Sequence, residues 1–439
     1  MQYKMKFNLW LMLLLIIFIP KVWALPSFAR QTGLACTACH TVFPELTTYG
    51  RNFKLDGYTA VGTRQIRARG NSGGVRLEID NTPPLSVMFQ LADVFTSPPT
   101  SLTVSSSSDG RGSLEFPTQF SFFYAGRISP DMGGFIQATY DPTSGTFAMD
   151  NTDLRWAKRF QVDNRDLVIG LTANNNPTVQ DVFNDTPAWS FPYAVGSSAV
   201  EPQMNPIIDT LGGSVGGLGA YVFWNQSIYA EVSAYRTAYQ GTPASADIQG
   251  LAPYWRLALT KNFGKNSIEV GTFGMSFNSY PNGVAVIGVP NQLVDTAVDA
   301  QYQYVGKTNI ITIKGNWINE NQYWNYSSQN AVTTVSNPTD NLKAIKCDVT
   351  YYYNREVGGT VGYFDTTGTS DPQLYSATAG YFNNIPDSEG SIFEANYLPW
   401  YNTKFTVQYT IYNRFNGATL MPRFTNGYNT LTVLAWLMF

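Results

Sequence analysis

Along most of the chain, apolar and polar side chains alternate with a period of two. From Lys404 to Asn413, Phe405, Val407, Tyr409 and Ile411 fall on one face, and Lys404, Thr406, Gln408 and Thr410 fall on the other. Between Lys343 and Tyr353, Ile345, Cys347, Val349 and Tyr351 oppose Lys346, Asp348 and Thr350. Period two marks a strand, and polar-in with apolar-out marks a barrel wall facing lipid. Cys347 then sits on the lipid face, where a thiol behaves as a small hydrophobe. Further runs start near Leu85, Thr118, Gly134, Asp150, Asp166, Gly217, Ser227, Tyr254, Ser267, Thr296, Asn309, Val357, Leu374, Ser391 and Asn429. The total is about seventeen, each close to the ~9–11 residues that a tilted membrane strand needs. Bacterial barrels have even strand numbers, so at least one run is spurious; about sixteen strands are expected, with about eighteen as the runner-up.

Turn chemistry separates the runs, with Asn282-Gly283, Asn426-Gly427 and Pro399 to Asn402 as clear breaks. The polar inserts from Asn174 to Val215 and from Asn319 to Asn341 read as external loops. The glycine cluster from Gly212 to Gly219 lacks the lysine and spacing of a phosphate-binding loop, and reads as a loop entering a strand. The chain closes on an amphipathic run from Leu431 to Phe439 that ends in an aromatic residue. Composition agrees: 44% of residues are hydrophobic, 15% aromatic and only 13% charged, whereas soluble domains carry about a quarter charged residues. The expected fold class is all-β, an antiparallel outer-membrane β-barrel in the bacterial cell outer membrane. A soluble sandwich or propeller is the competing architecture, but no blade-length repeat is found.

The amino terminus reads as an export signal. Lys4 and Lys6 precede an apolar run from Phe7 to Ile19, and Val22-Trp23-Ala24 offers a cleavage site, so the mature chain is expected to start near Leu25. The run is short of the ~20 residues of a spanning helix. The expected organisation is a signal peptide over 1–24, an N-terminal segment over 25–72 and the barrel over 73–439.

That segment carries Cys36-Thr37-Ala38-Cys39-His40, and His40 is the only histidine of 439 residues. A Cys-x-x-Cys-His run attaches one haem c covalently, through Cys36 and Cys39, with His40 as proximal iron ligand. Using the sole histidine there excludes His-based zinc sites and catalytic triads. A redox dithiol or half a zinc site is the alternative reading of Cys-x-x-Cys, but no βαβ context and no second ligand pair accompany it. Residues 25–72 are too few to bury a haem alone, so the economical expectation is a haem segment plugging the barrel lumen.

The stretch Pro26-Ser-Phe-Ala-Arg-Gln-Thr-Gly33-Leu-Ala-Cys36-Thr-Ala-Cys39-His40, continued by Phe43-Pro44-Glu-Leu46 and Gly50-Arg51-Asn-Phe53-Lys54-Leu-Asp-Gly57-Tyr58, resembles the fused monohaem cytochrome-porins of iron-oxidising bacteria. The resemblance covers residues 26–58. It implies an oxidoreductase that moves single electrons from extracellular Fe(II) to a periplasmic c-type cytochrome or copper protein. The expected surroundings are outer-membrane lipid, with no nucleic-acid partner.

The sixth haem ligand stays open. Residues 25–70 contain no methionine and no second histidine. Met88 lies on the polar phase of the first strand, and Met275 shares its phase with Glu269; the new amino terminus at Leu25 and the amine of Lys54 are the other candidates. Asp181, Asp185 and Glu320, on expected external loops, are weak candidates to attract Fe(II), with solvated loop charge as their plain reading. Two other functions compete: a general extracellular electron conduit for a different donor or acceptor, and a diffusion porin with a structural haem plug.

Overall fold

A computed structural model describes residues 27–96, 112–142, 144–193, 195–238, 248–280, 288–329, 335–419 and 428–439. Sixteen long antiparallel strands, from Leu85–Thr96 to Thr430–Met438, close on themselves, with a two-residue strand at Ala418–Thr419 beside them. Closure pairs the first strand with the last, from Met88 opposite Met438 to Thr96 opposite Thr430. A separate two-stranded hairpin, Gln65–Arg69 with Val75–Asp80, precedes the barrel and lies outside its sheet.

The burial pattern follows the alternation. In Thr403–Phe415, Lys404, Thr406, Gln408 and Thr410 are buried while Val407 is exposed; in Thr339–Tyr353, Asp348 and Thr350 are buried while Ile345, Cys347, Val349 and Tyr351 are exposed. Around the wall, Leu114, Phe122, Val232, Leu259, Val270 and Val361 project outward in the same way. A closed wall has no unpaired sheet edge, and an apolar outer belt demands lipid. The protein is an outer-membrane β-barrel.

One end of the barrel is built from tight turns. Asp163-Asn164, Asn225-Gln226 and Asn354-Arg355 each hold two successive residues at positive φ, the conformation of a two-residue hairpin turn whose twist matches its strands. The other end carries the long connections. Short turns face the periplasm and long loops the exterior in such barrels, which orients the molecule. The hairpin turn at Tyr401-Asn402 falls where expected, while Asn282-Gly283 and Asn426-Gly427 lie outside the described residues.

Two expectations about the strands need correction. The run near Leu374 is no strand: the Asp371 carboxylate accepts from the N–H groups of Gln373 and Leu374, at 2.8 and 2.9 Å, and from those of Ser336 and Asn337 in the adjacent loop. Such an Asx turn competes successfully with strand pairing. Several strands also begin earlier than the alternation shows, at Ser113, Thr146, Asn291 and Thr339, because they run on past the apolar belt at the loop end. Strand lengths of 9 to 17 residues result.

The insert after Asn174 does not stand out in solvent. Val179, Asp181, Phe183 and Thr186 are at most 2% exposed, because this connection turns back into the lumen and covers the N-terminal segment. Asp181 and Asp185 are therefore buried, and Glu320 belongs to the inward face of the strand Asn309–Tyr323. Inward residues such as Asp153, Arg155, Tyr229 and Arg256 are 0–1% exposed, as in a filled lumen and unlike a water-filled one.

The wall assignment predicts opposite outcomes for neighbouring positions. Val407→Arg, on the lipid face, is expected to lower stability by about 2–4 kcal/mol in denaturant unfolding from phospholipid vesicles. Val407→Leu is expected to leave it nearly unchanged.

Candidate functional site

The N-terminal segment folds as three short helices, α1 (Ser27–Thr32), α2 (Cys36–Cys39) and α3 (Thr48–Leu55). In α2 the spacing of three puts both cysteine side chains on one side of a single turn. No disulfide joins them. Burial pushes the Cys36 thiol up and the Cys39 thiol up to about 11, the latter with help from its neighbour. Redox dithiols instead have at least one depressed thiol, so the dithiol reading loses support.

His40 follows α2 directly, and its backbone N–H donates to the Cys36 carbonyl at 2.8 Å. Its ring Nδ1 lies 3.3 Å from the carbonyl oxygens of both Pro44 and Glu45. Donation from Nδ1 fixes the tautomer with Nε2 bare, the arrangement found in metal-ligating histidines. Burial lowers the His40 pKa to about 4, which favours the neutral ring.

Close packing holds α3 against the Cys36–His40 motif. Thr47 caps α3 by accepting from Gly50 N–H at 3.1 Å, and the same hydroxyl donates to Ala38 O at 2.6 Å. A Cβ on Gly50 would lie 2.1 Å from the Cys39 carbonyl oxygen, so only glycine permits this approach. At the other end of α3, Gly57 and Tyr58 take positive φ, and their N–H groups return to Lys54 O and Phe53 O. This is a Schellman stop. Tyr58 accepts a left-handed backbone because its ring is buried and its hydroxyl donates to Asp153 at 2.7 Å.

The barrel completes the site. Arg51 donates to Ser267, Gln301 and Gln303 on the wall. Tyr221 donates to Leu55 O, Thr312 donates to Glu45, and the Arg127 N–H donates to the Gln31 side-chain oxygen at 2.9 Å. From the periplasmic turn, Arg355 donates to the carbonyls of His40 and Thr41, both at 2.9 Å. Between segment and wall lies a cavity of about 360 Å³, lined by Cys36, Cys39 and His40 together with rings that include Phe28, Phe43, Phe53, Phe123, Phe135, Trp189, Tyr193 and Trp436. That size and apolar lining are those of a cofactor pocket. Two thiols, a bare imidazole nitrogen and aromatic walls fit a haem attached through Cys36 and Cys39 and ligated by His40.

Of the candidate sixth ligands, Met88 lines this cavity and Met275 does not. Met275 packs instead with Ile208, Tyr254 and Phe277. Lys54 also lines the cavity, but its amine donates to Val179 O at 2.6 Å and Asp181 O at 2.9 Å and lies over the Trp189 ring. Leu25 lies outside the described residues. Sequence reasoning missed Met438, the cross-strand partner of Met88 and a second sulfur on the cavity wall. Its position in the closing strand was the available signal. The roof residues Asn184, Trp189 and Tyr193 were missed as well, since their stretch reads as an external loop.

Gly50→Ala is expected to weaken seating of the segment by about 1–3 kcal/mol, the usual cost of overpacking. Limited proteolysis should then cut between residues 34 and 49 faster than in the parent while the barrel fragment stays intact.

No protein-family model matches the chain, and no match is found among curated proteins. Solved structures give loose likenesses. OmpF of Salmonella typhi, in complex with daunomycin, is 13% identical over 86% of this chain and 100% of its own, with a TM-score of 0.48. The loop L8 deletion mutant of OmpT from Vibrio cholerae is 11% identical, covering 81% of this chain and 98% of its own, with a TM-score of 0.46. The channel DcaP of Acinetobacter baumannii is 13% identical, covering 81% and 96%, also with a TM-score of 0.46.

Proposed function

We propose that this protein carries single electrons across the outer membrane, oxidising extracellular Fe(II) and passing the electron to a periplasmic c-type cytochrome or copper protein. The observation that carries this reading is the convergence of Cys36, Cys39 and His40 on one apolar cavity inside a membrane barrel. Fe(II) as donor rests on the resemblance of residues 26–58. A bound haem supplies a one-electron iron couple, which matches the one electron that Fe(II) gives up.

The residues of the chain have separate tasks. Cys36 and Cys39 anchor the group, and His40 presents Nε2 while the carbonyls of Pro44 and Glu45 hold its ring. The aromatic walls exclude water, which bears on potential through the local dielectric. Arg355, Tyr401, Asn402 and Met438 put the cavity beside the periplasmic turns, where a carrier would collect the electron. The connection after Asn174 covers the outer side and keeps ions from crossing.

A diffusion porin is the second reading, favoured by the sixteen-stranded wall, which in open form encloses an aqueous channel. Burial of Asp153, Arg155, Tyr229 and Arg256 on the lumen side argues against that use.

Anaerobic stopped-flow mixing of the haem-loaded protein with Fe(II), followed in the visible haem bands, separates the readings. Rapid reduction in the parent and its loss in His40→Ala are expected. Absence of reduction by Fe(II), alongside full reduction by dithionite, would remove iron as donor. Proteoliposomes are expected to show little swelling in small sugars, and swelling at the rate of an open porin would favour the second reading.

A further inference from the structure

Two neighbouring groups of buried charges in the lumen differ in their balance. Asp153 and Glu231 lie with Arg155 and Lys54, two acids with two bases. Further round the wall, Asp181 and Asp185 of the inserted connection meet Glu269 of the strand Asn266–Ser279 and Asp299 of Asn291–Val305. A single guanidinium, Arg256, touches all four: its Nη2 lies 3.1, 3.4, 3.4 and 2.7 Å from Asp181, Asp185, Glu269 and Asp299. Arg51 is the next cation, and it spends its donors on neutral partners. Four carboxylates against these two guanidinium groups leave a formal excess of two negative charges.

The deficit is localised. Asp181 is satisfied by the N–H groups of Phe183 and Asn184 and by the Thr186 hydroxyl, and Asp299 grips Arg256 with both oxygens. Besides the long contacts to Nη2, Asp185 and Glu269 meet only each other's carboxyl, which brings no positive charge, and Asp185 Oδ2 and Glu269 Oε2 have no donor among the described residues, although each residue is 1% exposed. Gly271 opens the space: Asp299 pairs opposite it, and both its carboxylate and that of Glu269 reach within 2.6–2.8 Å of where a Cβ would stand. Asp185, Glu269 and Asp299 each offer an oxygen within 4.8 Å of the others. Two oxygens sharing one ion can be at most about 4–5 Å apart.

We propose that Asp185, Glu269 and Asp299 bind one hard divalent cation, which supplies the two missing positive charges and pins the inserted connection to the barrel wall. An all-oxygen donor set selects ions of the Mg²⁺, Mn²⁺, Ca²⁺ or Fe²⁺ type over thiophilic metals. The site stands whether or not Fe(II) is the electron donor.

Mn²⁺ is the direct probe. The full-length protein, stripped with chelator and titrated in detergent, is expected to remove one Mn²⁺ per chain from the free-ion electron paramagnetic resonance signal. Glu269→Gln and Asp185→Asn keep side-chain volume, and each is expected to weaken that binding at least tenfold while retaining the heat-shifted gel migration of a folded barrel. Stoichiometric binding unchanged in both variants would overturn the site. So would a folded parent that takes up no Mn²⁺ and instead shows a protonated-carboxyl infrared band near neutral pH, since shared protons would then cancel the charge. If either variant fails to fold, the parent's own stoichiometry and the shift of its carboxylate infrared bands on adding Mn²⁺ decide the matter.

Discussion

A closed wall of sixteen strands leaves a wide lumen, and filling that lumen with protein is the constraint on which the rest depends. Once water is displaced, each inward polar group needs a partner, and an unpaired buried charge costs several kcal/mol. The N-terminal segment and the connection after Asn174 meet this demand together. Tyr58 and Arg155 satisfy Asp153, Lys54 is held by the carbonyls of Val179 and Asp181, and Glu45 is shared by Thr41, Thr312 and Tyr193. The segment is small for independent folding, and its buried Phe53, Leu55 and Tyr58, at about 1.5–3 kcal/mol each for a large apolar side chain, find much of their cover on the wall and under the connection.

Shared walls couple the pocket to the barrel. The same rings that bury the segment line the cavity beside Cys36, Cys39 and His40, and the turn residue Arg355 fastens the His40 backbone from the periplasmic side. On the proposed reading, filling the barrel lets charge pass while solutes are held back. The cavity is lined by Arg355, Tyr401 and Asn402 at the short turns and by Asn184 and Trp189 of the inserted connection.

The wall was legible because lipid on one side and buried polar groups on the other impose strict alternation, as at Lys404 to Asn413. The one surplus strand, near Leu374, failed for a local reason: an aspartate capped four backbone N–H groups, and no hydrophobic periodicity reports that. Pocket residues were legible where the Cys-x-x-Cys-His motif fixes them and, beyond it, only at Met88 and Lys54. Met88 and Met275 share an inward phase, yet one lines the cavity and the other packs against Ile208, since phase gives the face of a strand and not the height along it. Asp181 and Asp185 read as solvated loop because polar sequence in a long connection looks alike outside the barrel and inside it. Their burial depends on partners, Arg256 above all, that lie far away in the chain.

The central claim, that the cavity is a haem site, is tested most directly by mass spectrometry of the exported protein, purified from outer membranes and digested without reduction. The account predicts that the peptide bearing Cys36 and Cys39 carries the added mass of one haem on every chain. Recovery of that peptide with both thiols free, from a barrel otherwise folded, would contradict it.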